Sequence, residues 1–496
     1  MFLLSLIFFS FILSIYAIIR KIYKEYDHQS RLPPGPRNWP LIGNVLSVMG
    51  ANSKTFVDWS KKYGPVIGIQ MGSSPTVLLN DWPTIKDGLS QDTNLDRPVD
   101  NIFSSVGPKG LSSMNGQEYR EQKRFLLYYF KIKRSGKTSL EDLIVNEINR
   151  LSDIIDTTTT GGCETKIRSL FGISLFNIVS QFVFDKQFDY TEKMLKLIDQ
   201  LVSANPTLAL NTVFAQFPII NRFLVKYFKF LLPESANGRA MDEIISLIKN
   251  EIKSHEKTVD TSNAPKDYID AFISESLKHN NSDKNSFNYN NLLGVSFDLY
   301  GGLVLSVLSA IEWSIVLLAT YPDVQQRIYG EIVSIIGTTD RPVYSQRKHM
   351  PYVQAFMYEV LRFRSVTPLN LTRISTADTI IGGHFVPKGT HILANFWSIQ
   401  NNPKLWDEPN RFRPERFLID GETNFAKPEH FNPFSIGKRS CPGEVSALIE
   451  MFLYIVLLVQ KYEIKSTKNT DTTLDYVFQL SVAPKREPVV CFVKRF

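Results

Sequence analysis

The sequence predicts a mainly α-helical chain with small β-sheets (α+β), and three patterns carry that expectation. From Leu140 to about Asn250, apolar residues recur three and four apart, the spacing of one buried helix face. Asn291 to Thr320 is a long apolar run, interrupted by Gly301-Gly302, that reads as one helix through the centre of a large globule. It is long enough to cross a membrane, but Asp298 and Glu312 lie inside it. Val66 to Leu79 alternates apolar residues around Gly72 and Pro75, which predicts a hairpin of two short strands.

At 496 residues, 43% hydrophobic with 34 Phe, the chain can bury a large core, and length alone permits several domains. A net charge of +7 is modest for this length, and no basic run is long enough to bind nucleic acid. The balance suits an acidic partner or a membrane surface. The cysteines, Cys163, Cys441 and Cys491, are few and scattered, which argues against a disulfide framework and for a reducing compartment. The seven histidines form no ligand pair at metal spacing.

The N-terminus predicts a membrane anchor over residues 1–24. Phe2 to Ile19 is eighteen residues without a charge, about 27 Å as a helix and close to the hydrocarbon thickness. A secretory signal would need a basic start, a shorter apolar core and a small-residue cleavage site. Arg20, Lys21 and Lys24 follow the span, so the positive-inside rule keeps the remainder on the cytosolic side. Residues 25–32 form a linker, and 33–496 the globular part. Leu32-Pro33-Pro34-Gly35-Pro36 predicts a stiff, extended hinge between membrane and globule. Gly382 to Thr390 predicts strand–turn–strand, and His279 to Asn291 a polar loop.

The chemistry gathers in Phe434-Ser435-Ile436-Gly437-Lys438-Arg439-Ser440-Cys441-Pro442-Gly443. An apolar run from Val445 through Val459 follows, long enough for a helix of several turns. Pro442 suits the first helical position, which places Cys441 at a helix N-terminus, where free amides and the dipole lower a thiol's pKa. Gly437 permits a turn closed to other residues, and Gly443 lets the backbone approach something flat and bulky. These are the needs of a thiolate bound to haem iron. Arg439 can reach a haem propionate and Phe434 can pack against the ligand loop. A lone buried cysteine before a core helix is the ordinary alternative, but the spacing Phe-x-x-Gly-x-Arg-x-Cys-x-Gly fixes five residues in ten positions.

This stretch resembles the haem-binding loop of the cytochrome P450 family, whose cysteine thiolate is the axial ligand. The resemblance extends from about Pro33 to the end of the chain. It takes in Glu359-Val360-Leu361-Arg362 and then Pro414-Glu415-Arg416-Phe417, which match the family's Glu-Arg-Arg cluster. The implied fold is P450-like, with haem b between the central helix and the helix after Cys441. Tyr119 and Lys123 stand where the family usually has Trp and Arg on a propionate, and Arg373 where it commonly has another propionate arginine. Part of Leu208 to Leu232 matches a region that dips into the membrane near a substrate entrance. Phe103, Leu303 and Leu369 fall near the expected pocket and make the substrate hydrophobic.

The resemblance implies a monooxygenase that inserts one oxygen atom from O2 into a hydrophobic small molecule. Its electrons would come from a separate NADPH-dependent reductase, since no Gly-rich dinucleotide fingerprint occurs. Lys123, Arg124 and Lys438 suit that partner, and the location implied is the endoplasmic reticulum membrane. A haem-thiolate isomerase or dehydratase working without a reductase, and a haem carrier or sensor without turnover, are the alternatives. The chain departs from the family on its central helix, where Ala/Gly-Gly-x-Asp/Glu-Thr is usual. Matched on Glu312-Trp313, the acid position holds Leu305 and the alcohol position Ser306. Matched on Gly301-Gly302, they hold Val304 and Leu305. Ser306 is therefore the expected side-chain proton donor.

Overall fold

The computed structural model describes residues 31–40, 42–49, 53–98, 107–135, 139–158, 164–202, 236–278, 286–478 and 481–496. The expected anchor, most of the linker, Phe103, Cys163 and the Leu208–Leu232 stretch lie outside these residues.

The helices that position the site are α1 (Trp82–Ser90), α2 (Gly116–Ser135), α3 (Leu140–Thr158), α4 (Ile167–Phe184), α5 (Ala236–Thr258) and α6 (Tyr268–Lys278). They are followed by α7 (Tyr289–Thr320), α8 (Pro351–Phe363) and α9 (Glu444–Lys461). Mainly α with small sheets is thus the observed class. α7 begins at Asn288, whose side chain accepts from Asn291 N at 3.0 Å and satisfies one free amide of the first turn. A helix apolar all round must be buried in protein or lipid. Here 83% of the most apolar window of α7 and 78% of α4 is buried inside the protein, so both are core helices.

Polar ties hold α7 in place. The Tyr300 and Ser180 hydroxyls lie 2.8 Å apart, joining α7 to α4. Farther along, Arg168 Nε donates to Glu312 Oε1 at 2.7 Å, with the carboxylate 1% exposed. Trp313 Nε1 donates to the Val482 carbonyl at 2.8 Å. Between these ties the helix loosens into a π turn, Tyr300–Leu305, at the glycine pair. Two adjacent glycines weaken α-helix propensity there, and such turns are frequent at functional sites.

The expected hairpin forms as β1 (Val66–Met71) and β2 (Ser74–Leu79), turning at Gly72 with φ +59°. With β3 (Arg373–Ile374) and β4 (His391–Ala394) it makes a four-stranded sheet in the order β1-β2-β4-β3. The Thr379–Ile381 and His384–Val386 strands pair across Gly382-Gly383, both at positive φ, as two-residue hairpins require. The proline segment differs from expectation. Instead of standing free as a hinge, it lies against β1: Gly68 N donates to Pro34 O at 3.1 Å, and a Cβ on Gly35 would stand 1.7 Å from Gly68 O. Two facing glycines allow that docking, a tertiary contact that composition does not announce.

Cys491 also departs from expectation, for it is disulfide-bonded. Its strand, Val489–Lys494, pairs with Glu164–Lys166, a proximity hidden by the sequence distance. Cys441 is free.

Candidate active site

The cysteine loop is fixed by its own backbone first. Ile436 is extended, Gly437 turns at φ +75°, and a single 3-10 turn runs from Gly437 to Arg439. Ser440 N donates to Gly437 O at 3.0 Å, and Cys441 N to Phe434 O at 2.9 Å. A Cβ on Gly437 would come within 2.9 Å of the Leu89 carbonyl, so glycine is required by conformation and by space. Phe434 is half-buried against the core beneath the loop.

α9 starts at Glu444 with Gly443 as its N-cap, so Pro442 precedes the cap and is not the first helical residue. The later start leaves the amides of Gly443 and Glu444 free to turn to the Cys441 sulfur. Lys123 adds a favourable charge, yet burial outweighs all three and pushes the thiol above its ordinary value. The helix-start amides lower the thiol as expected, but burial is the larger cause. An ion at the sulfur would supply what the local field does not.

That thiol is surface-accessible, while burial remains the largest influence on its titration. A Cβ on Gly443 would stand 3.8 Å from Cys441 Sγ and 3.5 Å from Leu303 Cδ2 of α7. On α7, a Cβ built on Gly301 or Gly302 would meet no described side chain within 4 Å. Leu305 and Ser306 are partly exposed on this helix, and Ser306 Oγ donates back to the Gly302 carbonyl. Leu369 packs with the β1–β2 sheet, beside Ile67 and Leu78. Asp298 is taken by the loop before α2, accepting from Ser112 N at 2.7 Å and Ser112 Oγ at 3.1 Å. Burial raises its carboxyl to about 6.

Three buried guanidiniums meet at the loop. Arg439 Nε donates to Leu95 O at 2.6 Å and Nη2 to Asn115 Oδ1 at 2.8 Å, with the guanidinium 3.4 Å above the Tyr119 ring. Arg373 Nη1 donates to Leu89 O at 2.7 Å and Nη2 to Ile436 O at 3.0 Å. Arg97, which sequence reasoning missed, donates to the carbonyls of Leu371 and Thr372. Burial and mutual repulsion lower Arg97 to about 9 and Arg373 to about 10. The Nε groups of Arg97 and Arg373 are buried without a partner. Unpaired cationic donors of this kind demand an anion.

The two α2 residues both reach the cysteine loop. Tyr119 hydroxyl donates to Lys438 O at 3.1 Å, and Lys123 Nζ to Lys438 O at 2.9 Å and Ser440 O at 3.0 Å. Both donate to the loop backbone. Beneath, Glu359 grips Arg362 through two bonds of 2.7 and 2.8 Å, and Arg416 Nε lies 3.0 Å from Glu359 Oε2. Glu359 Oε1 also accepts from Arg413 N at 2.9 Å. A surface cleft of about 650 Å³ beside Pro322 and the Arg411–Arg416 segment flanks this cluster, apart from Cys441.

The family model for cytochrome P450 matches residues 33–492. The chain belongs to the cytochrome P450 family. It is 34% identical over 469 residues to cytochrome P450 2D9 of Mus musculus, covering 90% of each chain. Cytochrome P450 2D3 of Rattus norvegicus is 31% identical over 496 residues, 96% of each. Cytochrome P450 2C5 of Oryctolagus cuniculus is 30% identical over 489 residues, covering 96% of this chain and 97% of that one. As a cytochrome P450 it is a haem-thiolate monooxygenase, an oxidoreductase. The residues present fit haem: a free, exposed thiol, room beside the glycine pair of α7, and buried arginine Nε groups without a partner for the two haem carboxylates.

Proposed function

We propose that Cys441 is the thiolate that holds haem b, and that this P450 inserts oxygen into a hydrophobic small molecule with electrons from an NADPH-dependent reductase. The observation that carries the reading is the free, exposed Cys441 thiol beside Gly443, where an added Cβ would lie 3.8 Å from Sγ and 3.5 Å from Leu303 Cδ2 of α7. Thiolate-ligated haem, when bound, supplies reductive cleavage of dioxygen.

The chain's own residues do the rest. Gly443 and Glu444 amides and the Lys123 charge favour the anionic sulfur. Arg97, Arg373 and Arg439 neutralise the haem carboxylates, while Tyr119 and Lys123 act through the loop they brace. Phe434, Gly437 and Gly443 shape the cradle. Ser306 holds a hydroxyl on the open face of α7, with Leu305 where an acid is usual. α7 and its apolar neighbours exclude water, which fits an apolar substrate. Arg124 is exposed on α2 and Lys438 is paired with Asp92 at 2.7 Å, so Arg124 is the readier contact for an acidic reductase. The anchor of residues 1–24 places the domain 33–496 at the cytosolic face of the endoplasmic reticulum membrane.

The reduced carbon monoxide complex tests the ligand: wild type shows the red-shifted thiolate band and Cys441→Ser loses it. A wild type without that band overturns the assignment. Leu305 in place of an acid favours a second reading, an isomerase or dehydratase acting on a peroxide. Turnover of a lipid hydroperoxide without reductase would select it.

A further inference from the structure

Away from the haem site, the last turn of α5 meets the start of α6. His255 Nδ1 lies 2.7 Å from Glu251 O, one turn back on its own helix, which directs Nε2 outward. There Nε2 lies 2.8 Å from Asp267 Oδ2. The other oxygen of Asp267 accepts from Asp270 N at 2.9 Å, capping α6 and fixing the carboxylate. One donor atom each from His255, Asp267 and Asp270 lies within 4.8 Å of the others. Asp267 is 1% and Asp270 8% exposed.

A second observation points to the same spot. Tyr129 of α2 is 2% exposed, and its hydroxyl is buried without a hydrogen-bond partner. Its ring packs 5.4 Å from that of Tyr268, the residue of α6 that follows Asp267, so Tyr129 lies beside the cluster. Two buried carboxylates opposite one imidazole outnumber its single charge even when the ring is protonated. Lys133 stands close, its Nζ spent on Lys266 O at 2.6 Å, and Asp267 and Asp185 act on it.

We propose that His255, Asp267 and Asp270 form a binding site for a divalent cation of zinc type, with the Tyr129 hydroxyl or a water in the fourth position. One nitrogen and two carboxylate oxygens suit zinc, which takes four ligands at roughly 2.0–2.2 Å. Calcium and magnesium want six or more oxygens and are poorly served. The Nδ1 contact to a backbone carbonyl is the outer-sphere partner that metal-binding histidines use. The ion would pin the end of α5 to the start of α6 against α2. No histidine pair announces the site, because the other two ligands come from the next helix.

The test uses the full chain, stripped with a chelator, titrated with zinc against a chromogenic chelator and then analysed for bound metal. Wild type is expected to hold one zinc per chain with micromolar or tighter affinity, and to ignore magnesium. Asp270→Asn and His255→Gln should each weaken that site at least tenfold, with unchanged far-ultraviolet circular dichroism as the check on folding. Lys133→Met should tighten it severalfold by removing a repelling charge. Wild type without zinc at micromolar concentrations, or both ligand variants binding as wild type does, overturns the site.

Discussion

Arg373 Nη2 donates to the Ile436 carbonyl at 3.0 Å, joining strand β3 to the residue before the Gly437 turn. Its other terminal nitrogen holds Leu89 O at the end of α1, so one side chain locks three segments around the cysteine loop. Arg373→Ala therefore orphans two carbonyls, each costing about 1–3 kcal/mol if it stays buried. The expected outcome is a lower melting temperature and less haem per chain. Arg373→Lys should recover stability in part, because lysine keeps the charge but cannot span both carbonyls. Wild-type haem content in Arg373→Ala would remove it from the carboxylate-binding set.

The Glu359 cluster is fully buried, with Glu359 and Arg362 both 0% exposed. A surface pair at this spacing would contribute only tenths of a kcal/mol. Removing one partner of a buried cluster instead leaves an uncompensated charge and costs about 3–5 kcal/mol. Glu359→Gln should accordingly unfold at much lower urea, with Arg362 and Arg416 left facing each other. A midpoint within error of wild type would show that the cluster contributes no net stability.

Glu450 on α9 is 1% exposed, both its oxygens lack partners, and burial raises its carboxyl from 4.5 to about 8. A raised folded value means the protonated form favours the fold. The contribution is full below about pH 4.5 and is lost as pH rises through about 8. Wild type should thus lose stability across that window relative to Glu450→Gln, by a few kcal/mol at most. Parallel melting curves for the two proteins from pH 5 to 8.5 would contradict it.

Ser306→Ala removes the hydroxyl that α7 presents at Gly302. With reductase and a true substrate, it should lower product formed per NADPH severalfold and raise peroxide release. Leu305→Asp places an acid beside Ser306 and should raise coupling. Unchanged coupling in Ser306→Ala would end its role as a proton donor.

What the sequence made legible is local. The loop from Phe434 to Gly443, the hairpin at Gly72, the Gly382-Gly383 turn and the Glu359–Arg362 pair are all set by residues within a few positions of one another. What escaped it is long-range. Arg97 finds its carbonyl partners 274 and 275 residues downstream, and no motif surrounds it. The docked proline segment depends on Gly68, and the thiol's titration depends on how much protein encloses it. Tyr119 and Lys123 were identifiable as neighbours of the cysteine loop, but not the carbonyls on which they spend their donors.

The π turn at Tyr300–Leu305 bears on how this chain can be compared with its relatives. An added residue in a regular helix rotates everything after it by about 100°. A π turn closes its hydrogen bonds one residue farther on and absorbs such an insertion locally. Tyr300 at its start and Glu312 after it both keep their hold on α4. The two ways of matching this helix to the family, from the glycine pair or from Glu312-Trp313, differ by that one residue. Columns counted from opposite ends of the helix therefore disagree inside the turn. Leu305 lies inside that turn, whereas Ser306 opens the regular helix that runs on to Thr320.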